Sequence, residues 1–173
     1  MRKTHCNISQ AKLKELFKYD PKTGVFTRVK PAKGGIYAGS ILVKGSDNGL
    51  GYLRIWLEGK QHCLHVLAWV YMTGKSPEGF IDHIDRNKKN NVFENLREVT
   101  RSENNCNRGI RSDSVTGVHG VGIEYGKFRV RLQLNKKRVF FGYYDDLELA
   151  QLVAEEARAK YHGEFAYAPL SRS

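Results

Sequence analysis

Asp82 and His83 stand side by side at the end of a short apolar run, Phe80-Ile81-Asp82-His83-Ile84-Asp85. A carboxylate and an imidazole so placed can serve the hydrolysis of a phosphodiester. That reaction needs a base to activate water and a cation to offset the charge building on the phosphate and the leaving oxygen. An unperturbed imidazole titrates near pH ~6.5, which suits His83 as the base. The Asp82 carboxylate is a hard oxygen donor for Mg²⁺, with Mn²⁺ as the alternative, and the side-chain carbonyl of Asn104 is a weaker one. Two protein ligands leave room for water and phosphate oxygens. An isolated Asp-His pair is usually a hydrogen-bonded surface pair. The spaced set of Asp82, His83, Asn95 and Asn104 is what points to chemistry.

The elements around these residues must place them. Phe80 to Asp85 begins as a strand, on which Asp82 and His83 point to opposite faces. Arg86 to Asn91 is too polar for a core strand. Asn95-Leu96-Arg97-Glu98-Val99 offers a return strand, after which Thr100 and Glu103 form a capping box for a helix. The unit reads strand, polar loop, strand, helix, and brings Asn104 into the first helical turn. Asn95 is better suited to a structural role than to chemistry, and Asp85 to bracing the loop. Upstream, Ser9 caps a helix with Leu13, Leu16 and Phe17 on one face, and Asp20-Pro21-Lys22-Thr23-Gly24 stops it. Strands follow at Val25 to Val29, around Leu53 to Leu57 and near His62 to Leu64, with a glycine-rich basic stretch through Gly51 between the first two. A helix from His65 to Met72 ends before Gly74. His65 reads as a buried, hydrogen-bonded histidine. His62, Cys63 and His65 lack a fourth zinc ligand.

A second pattern begins at Gly126. Phe128, Val130, Leu132 and Leu134 alternate with Lys127, Arg129, Arg131 and Gln133. Asn135-Lys136 turns into a strand with Arg138 and Phe140 on one face. Asp145 starts a helix, Glu148 completes its cap, and Ala150, Val153, Ala154, Ala157 and Tyr161 form its apolar stripe. Lys127 to Arg138 carries six basic residues and no acid. One sheet face is therefore basic while the helix covers the other, a shape that can enter a DNA major groove.

Bulk properties agree. The chain has 173 residues and a formal net charge of +11. That surplus favours a polyanionic partner. Three cysteines without a C-x-x-C pair argue against a disulfide framework. The sequence contains neither a secretory leader nor a run of the ~20 apolar residues a membrane helix needs, so a cytoplasmic protein is expected.

The run Ile81-Asp82-His83-Ile84-Asp85-Arg86-Asn87, Asn90-Asn91, Glu94-Asn95-Leu96-Arg97, Val99-Thr100 and Ser102-Glu103-Asn104-Asn105 resembles the HNH (His-Me finger) endonucleases. The likeness is to the phage and mobile-element homing branch, and it extends to His65-Val66-Leu67-Ala68-Trp69. The resemblance implies that His83 is the general base, that Asp82 and Asn104 hold one divalent metal, and that Asn95 fastens the loop orienting His83. Its register selects Asn104 over Asn105. It also implies products with 5′-phosphate and 3′-hydroxyl ends.

Val118 to Ala166 resembles the AP-two/ERF-type DNA-binding domain, through Gly117-Val118, Gly126-Lys127-Phe128, Lys137-Arg138, Leu147-Glu148-Leu149-Ala150 and Tyr161-His162-Gly163-Glu164-Phe165-Ala166. That likeness would turn Arg129, Arg131, Gln133, Arg138 and Phe140 toward DNA. Gly122 and Glu124 stand where that family carries base-reading arginines. The expectation is an α+β protein: an HNH nuclease domain over 1–108 with its ββα-metal core at about 77–108, a linker at 109–116, and a three-stranded antiparallel sheet on one helix over 117–167. Double-stranded DNA is the expected partner, with no membrane and no obligate protein partner. The competing expectation is a catalytically silent DNA-binding regulator, which would have no use for Asp82, His83 and Asn104.

Overall fold

Ser9 begins the first helix as the sequence predicts: its hydroxyl accepts from the Lys12 amide at 3.2 Å, a cap worth about 1 kcal/mol. In the computed structural model, which describes residues 6–31, 37–42, 51–107, 110, 113–134 and 137–163, that helix is α1, Gln10–Leu16. It stops at Leu16, short of the expected stop at Asp20. Phe17 belongs instead to strand β1, Phe17–Asp20, paired antiparallel with β2, Val25–Arg28. Phe17 and Tyr19 alternate with Lys18 and Asp20, so a two-residue period operates here and buries both aromatics. The Asp20 to Gly24 segment is thus the turn of a hairpin, closed by the Gly24 amide on the Asp20 carbonyl at 2.8 Å.

Strands β3, Arg54–Leu57, and β4, Lys60–Cys63, form the second hairpin. Glu58 and Gly59 turn it with positive φ of 49° and 74°, as a tight hairpin requires. Helix α2, Leu64–Thr73, follows at once and ends on left-handed Gly74. It is apolar nearly all round, and Leu64, Val66, Leu67, Ala68 and Val70 are buried, as expected of a helix enclosed by other elements. Its core partners include Leu13, Phe17, Tyr19, Phe26, Ile81 and Leu96. The third hairpin pairs β5, Phe80–His83, with β6, Leu96–Val99, and a single 3₁₀ turn at Phe93–Asn95 precedes β6.

The chain divides into two compact units between Thr100 and Arg101. The second contains α3, Arg101–Cys106, the strands β7, Val121–Glu124, β8, Lys127–Leu134, and β9, Lys137–Tyr144, and helix α4, Leu147–His162. The strands form an antiparallel sheet in the order β7-β8-β9. Ala150 and Ala154 of α4 are fully buried and pack with Val121 and Val130. Their small side chains let the helix lie close to the sheet. Its N-cap is Asp146, whose carboxylate accepts from the Leu149 amide at 2.8 Å, not Asp145, which instead pairs with Lys127 at 3.0 Å. Tyr161, expected in the apolar stripe, is half exposed.

The architecture is a mixed α+β fold of small antiparallel sheets. The Asn135-Lys136 turn, parts of the 109–116 segment and most of the glycine-rich basic stretch lie outside the described residues, as does everything after Gly163. Among the described residues no helix is long and apolar enough to cross a membrane.

Candidate active site

The β5–β6 hairpin sets the geometry. Asp82 lies opposite Arg97, and His83 opposite Leu96. Alternation turns Ile81 and His83 inward, leaving His83 only 3% exposed. Asp82 turns the other way, where its Oδ2 accepts from Arg97 Nε at 3.3 Å and Nη2 at 3.2 Å.

Burial pushes the His83 imidazole below its ordinary value, against a hydrogen bond to Asn91 that favours the charged ring. The ring is therefore neutral at pH 7. Its Nε2 lies 3.2 Å from Asn91 Oδ1. A carbonyl oxygen can only accept, so Nε2 carries the hydrogen and Nδ1 the basic lone pair. Asn91 is itself buried, and the sequence offered it no role beyond membership of an Asn-Asn pair.

Asn91 is held from three sides. The Tyr19 hydroxyl donates to its carbonyl at 2.6 Å. The Phe93 amide two residues on donates to Pro21 at 3.0 Å. Gly24, at φ +72°, packs so closely that an added Cβ would stand 2.5 Å from the Asn91 carbonyl carbon. The N-terminal β1–β2 hairpin, without an assigned role in the sequence, thus buttresses the residue that sets the His83 tautomer.

The loop between the strands is held through Asn95 and Asp85. Asn95 Oδ1 accepts from the Asp85 amide at 3.0 Å, and Asn95 Nδ2 donates to Asp85 Oδ1 and the Asn90 carbonyl, both at 2.9 Å. Asp85 also accepts from Asn90 Nδ2 at 2.7 Å and the Asn87 amide at 2.8 Å. Burial opposes the Asp85 charge, but these donors outweigh it and hold the carboxyl below its usual range. Asn95→Asp keeps the shape while replacing two donated bonds with repulsion toward Asp85 and the Asn90 carbonyl. It is expected to cost about 2–4 kcal/mol at neutral pH, from lost bonds plus an unmatched charge. Urea unfolding should show this, with partial recovery on acidification; an unchanged midpoint would remove Asn95 from the loop's support.

His65 of α2 meets His83 edge-on, with ring centroids 5.0 Å apart, and Tyr52 lies 5.1 Å from His65 and 6.0 Å from His83. Burial, then the neighbouring His83 and Arg54, pull the His65 imidazole down to about 3. It is buried as expected, but its Nδ1 has no hydrogen-bond partner among the described residues, contrary to the hydrogen-bonded role its sequence context predicted. A neutral His65 adds no fixed charge beside His83.

His83, Asp85, Asn91 and Asn95 thus gather in the first unit, with Asp82 on the opposite face of β5. Asn104 stands half-buried on α3, in the second unit, next to an exposed Asn105. Its assignment as a metal donor rests on the sequence resemblance. Among the described residues no group of three or more His, Cys, Asp or Glu side chains is placed to hold a metal.

In the second unit, the cross-strand pairs Arg131 with Phe140 and Gln133 with Arg138 lie on one face. A β-bulge after Val130, where Gly142 takes φ +139°, shifts the register so that Tyr143 lies opposite Arg129. Tyr143 joins the Arg129 face, and Tyr144 packs with the core. Phe140 and Tyr143 are both largely exposed, their ring centroids 4.9 Å apart. Arg129 is on the predicted face but is not a free cation: its Nη1 donates to Glu124 Oε1 at 2.9 Å.

Residues 62–106 match the family model of an HNH endonuclease. The match lies mid-chain and is shorter than the 1–108 span expected for the nuclease domain. Protein 3.8 of Escherichia phage T7 is 30% identical over 105 residues, covering 59% of this chain and 86% of that protein. No solved structure matches. The chain belongs to the same family as Protein 3.8 and carries an HNH endonuclease domain from the end of β4 through α2 and the third hairpin to α3.

Proposed function

We propose that the protein is a DNA endonuclease that hydrolyses phosphodiester bonds with His83 as general base and one divalent metal, directed to its site by the C-terminal sheet. The observation that carries the reading is the state of His83. A neutral imidazole, its Nε2–H directed at Asn91, carries its basic lone pair on Nδ1, the atom that would take the proton from water. Asp82 on the other face of the same strand offers a carboxylate. The donor set fits a hard cation: a carboxylate and an amide carbonyl supply oxygen only, and the rest of the shell falls to water and phosphate. Asp82 and Asn104 would hold Mg²⁺, or Mn²⁺, which when bound supplies charge stabilisation at the scissile phosphate. Arg97 braces the Asp82 carboxylate, and Asn95 with Asp85 keeps the loop from displacing His83.

For the second unit we infer an AP-two/ERF-type DNA-binding role on the homing-endonuclease plan, with Arg129, Arg131, Gln133, Arg138 and Phe140 toward a duplex. Segment 109–116 acts as the tether, raising the local concentration of the cutting centre near a bound site. A silent regulator has no need for a neutral base beside a carboxylate on a fastened loop.

Supercoiled plasmid with Mg²⁺ tests the whole: nicking or linearisation is expected, and a chelator should stop it. Binding without any cleavage would favour the regulator. Arg131→Ala tests the sheet. Loss of one cationic contact should weaken duplex binding and reduce the slope of log K against log salt by about 0.9. Unchanged affinity and slope would turn that face back to solvent.

A further inference from the structure

Glu124 of β7 lies on the basic sheet face and is engaged on both oxygens. Oε1 accepts from Arg129 Nη1 at 2.9 Å, and Oε2 accepts from the Tyr143 hydroxyl at 2.7 Å. The three residues come from three strands. Arg129 on the central strand lies opposite both Gly122 of β7 and Tyr143 of β9. Gly122 supplies the space: an added Cβ there would lie 3.3 Å from Arg129 Nη2. The Arg129 and Glu124 side chains are 24% and 32% exposed, so the pair is partly sheltered yet open on the outer side.

An arginine on a nucleic-acid surface can act in two ways. Free on its stem, it neutralises whichever phosphate is near and adds affinity without sequence information. Held in a fixed plane, it presents paired donors to a base edge. Glu124 favours the second. It cancels the charge of Arg129, so this end of the face exerts little net pull on the backbone. It fixes one edge of the guanidinium, and the Tyr143 bond keeps the carboxylate from swinging away. Each carboxylate oxygen retains a further lone-pair site after one hydrogen bond. The pair therefore offers donors beside an acceptor, a pattern that matches a guanine edge next to an exocyclic amine such as cytosine N4.

We propose that Glu124 is a specificity-determining residue: clamped by Arg129 and Tyr143, it turns Arg129 from a phosphate-neutralising cation into a base-edge reader and sets a carboxylate where only an amine-bearing base edge is accepted. This rests on the reading of the sheet as a DNA face. Glu124→Gln keeps the shape, can still accept from Arg129, and removes the charge.

The test uses the full chain and measures binding to a random-sequence duplex across a salt series, for wild type, Glu124→Gln, Tyr143→Phe and Arg131→Ala. A selection from a randomised duplex pool runs in parallel. Glu124→Gln is expected to bind the random duplex more tightly and to steepen the salt slope by about 0.9, the contribution of one more phosphate contact. The sites it selects should lose definition at one or two adjacent positions. Tyr143→Phe should move in the same direction by less. If Arg131→Ala weakens binding while Glu124→Gln leaves slope and selected sites unchanged, the Glu124 proposal falls and the DNA face stands. Weaker random-duplex binding by Glu124→Gln would likewise overturn the proposal. If Arg131→Ala changes nothing, the DNA face falls and the proposal with it.

Discussion

Replacing His83 with alanine is expected to lower the rate of plasmid nicking by roughly 10²–10⁴-fold, the usual contribution of a positioned general base, while leaving DNA affinity nearly intact. The size follows from the environment of the ring. Burial holds the imidazole neutral at pH 7, and Asn91 directs its lone pair to Nδ1. Alanine would also leave a gap beside His65 and Tyr52, so part of any loss could come from repacking. His83→Gln separates the two effects. Glutamine fills much of the space and can donate to Asn91, but has no basic nitrogen. Both variants should lose nicking, and the glutamine variant should melt closer to wild type. Nicking at the wild-type rate by a folded His83→Gln protein would end the assignment of His83 as base.

Loss of the Asp82 carboxylate is expected to be nearly as severe, on the order of 10²–10³-fold, the scale of one electrostatic group at a reacting centre. Asp82→Ala is a poor instrument by itself. It removes the Asp82 partner of the Arg97 guanidinium in a setting where the two side chains retain only 17% (Arg97) and 12% (Asp82) exposure. Removing one partner of a fully buried pair costs about 3–5 kcal/mol, and the residual exposure here reduces that figure. Asp82→Asn keeps an acceptor for Arg97 and removes only the charge. Arg97→Met makes the complementary change, leaving the carboxylate and removing its protein partner. Nicking measured against Mg²⁺ concentration then distinguishes ligand from structural support. Asp82→Asn should need far more Mg²⁺ and reach a lower plateau. Arg97→Met should keep a plateau near wild type. If Asp82→Asn follows the wild-type Mg²⁺ curve, Asp82 is not the ligand.

Much of this site was legible along the chain because its chemistry is local. Asp82 and His83 are neighbours, and strand geometry alone sends them to opposite faces. Asn95 and Asp85 are ten residues apart, and the polar loop between them has few other ways to satisfy its amides. Asn91 was not legible as the partner of His83. An asparagine in a polar loop carries no mark of burial, and it becomes buried only because Tyr19, Pro21 and Gly24 close over it from some seventy residues away. Strand β1 was missed for a related reason. Leu13, Leu16 and Phe17 satisfy a helical period, and only pairing with β2 shows that Phe17 begins a strand.

The same division runs through the second unit. Alternation along β8 assigned Arg129, Arg131 and Gln133 to one face, since side-chain period is a property of extended backbone itself. On β9 the rule fails past Phe141. The bulge inserts one residue, reverses the parity and brings Tyr143 rather than Gly142 to the basic face. Local pattern was enough for the chemical inventory and the faces of regular strands: a base, an acid, loop-fastening amides and a row of basic residues. The state of those groups was set by long-range packing. The His83 tautomer depends on a buried amide, and the freedom of Arg129 on a carboxylate from another strand. Both arise from contacts between distant segments, which no local pattern encodes.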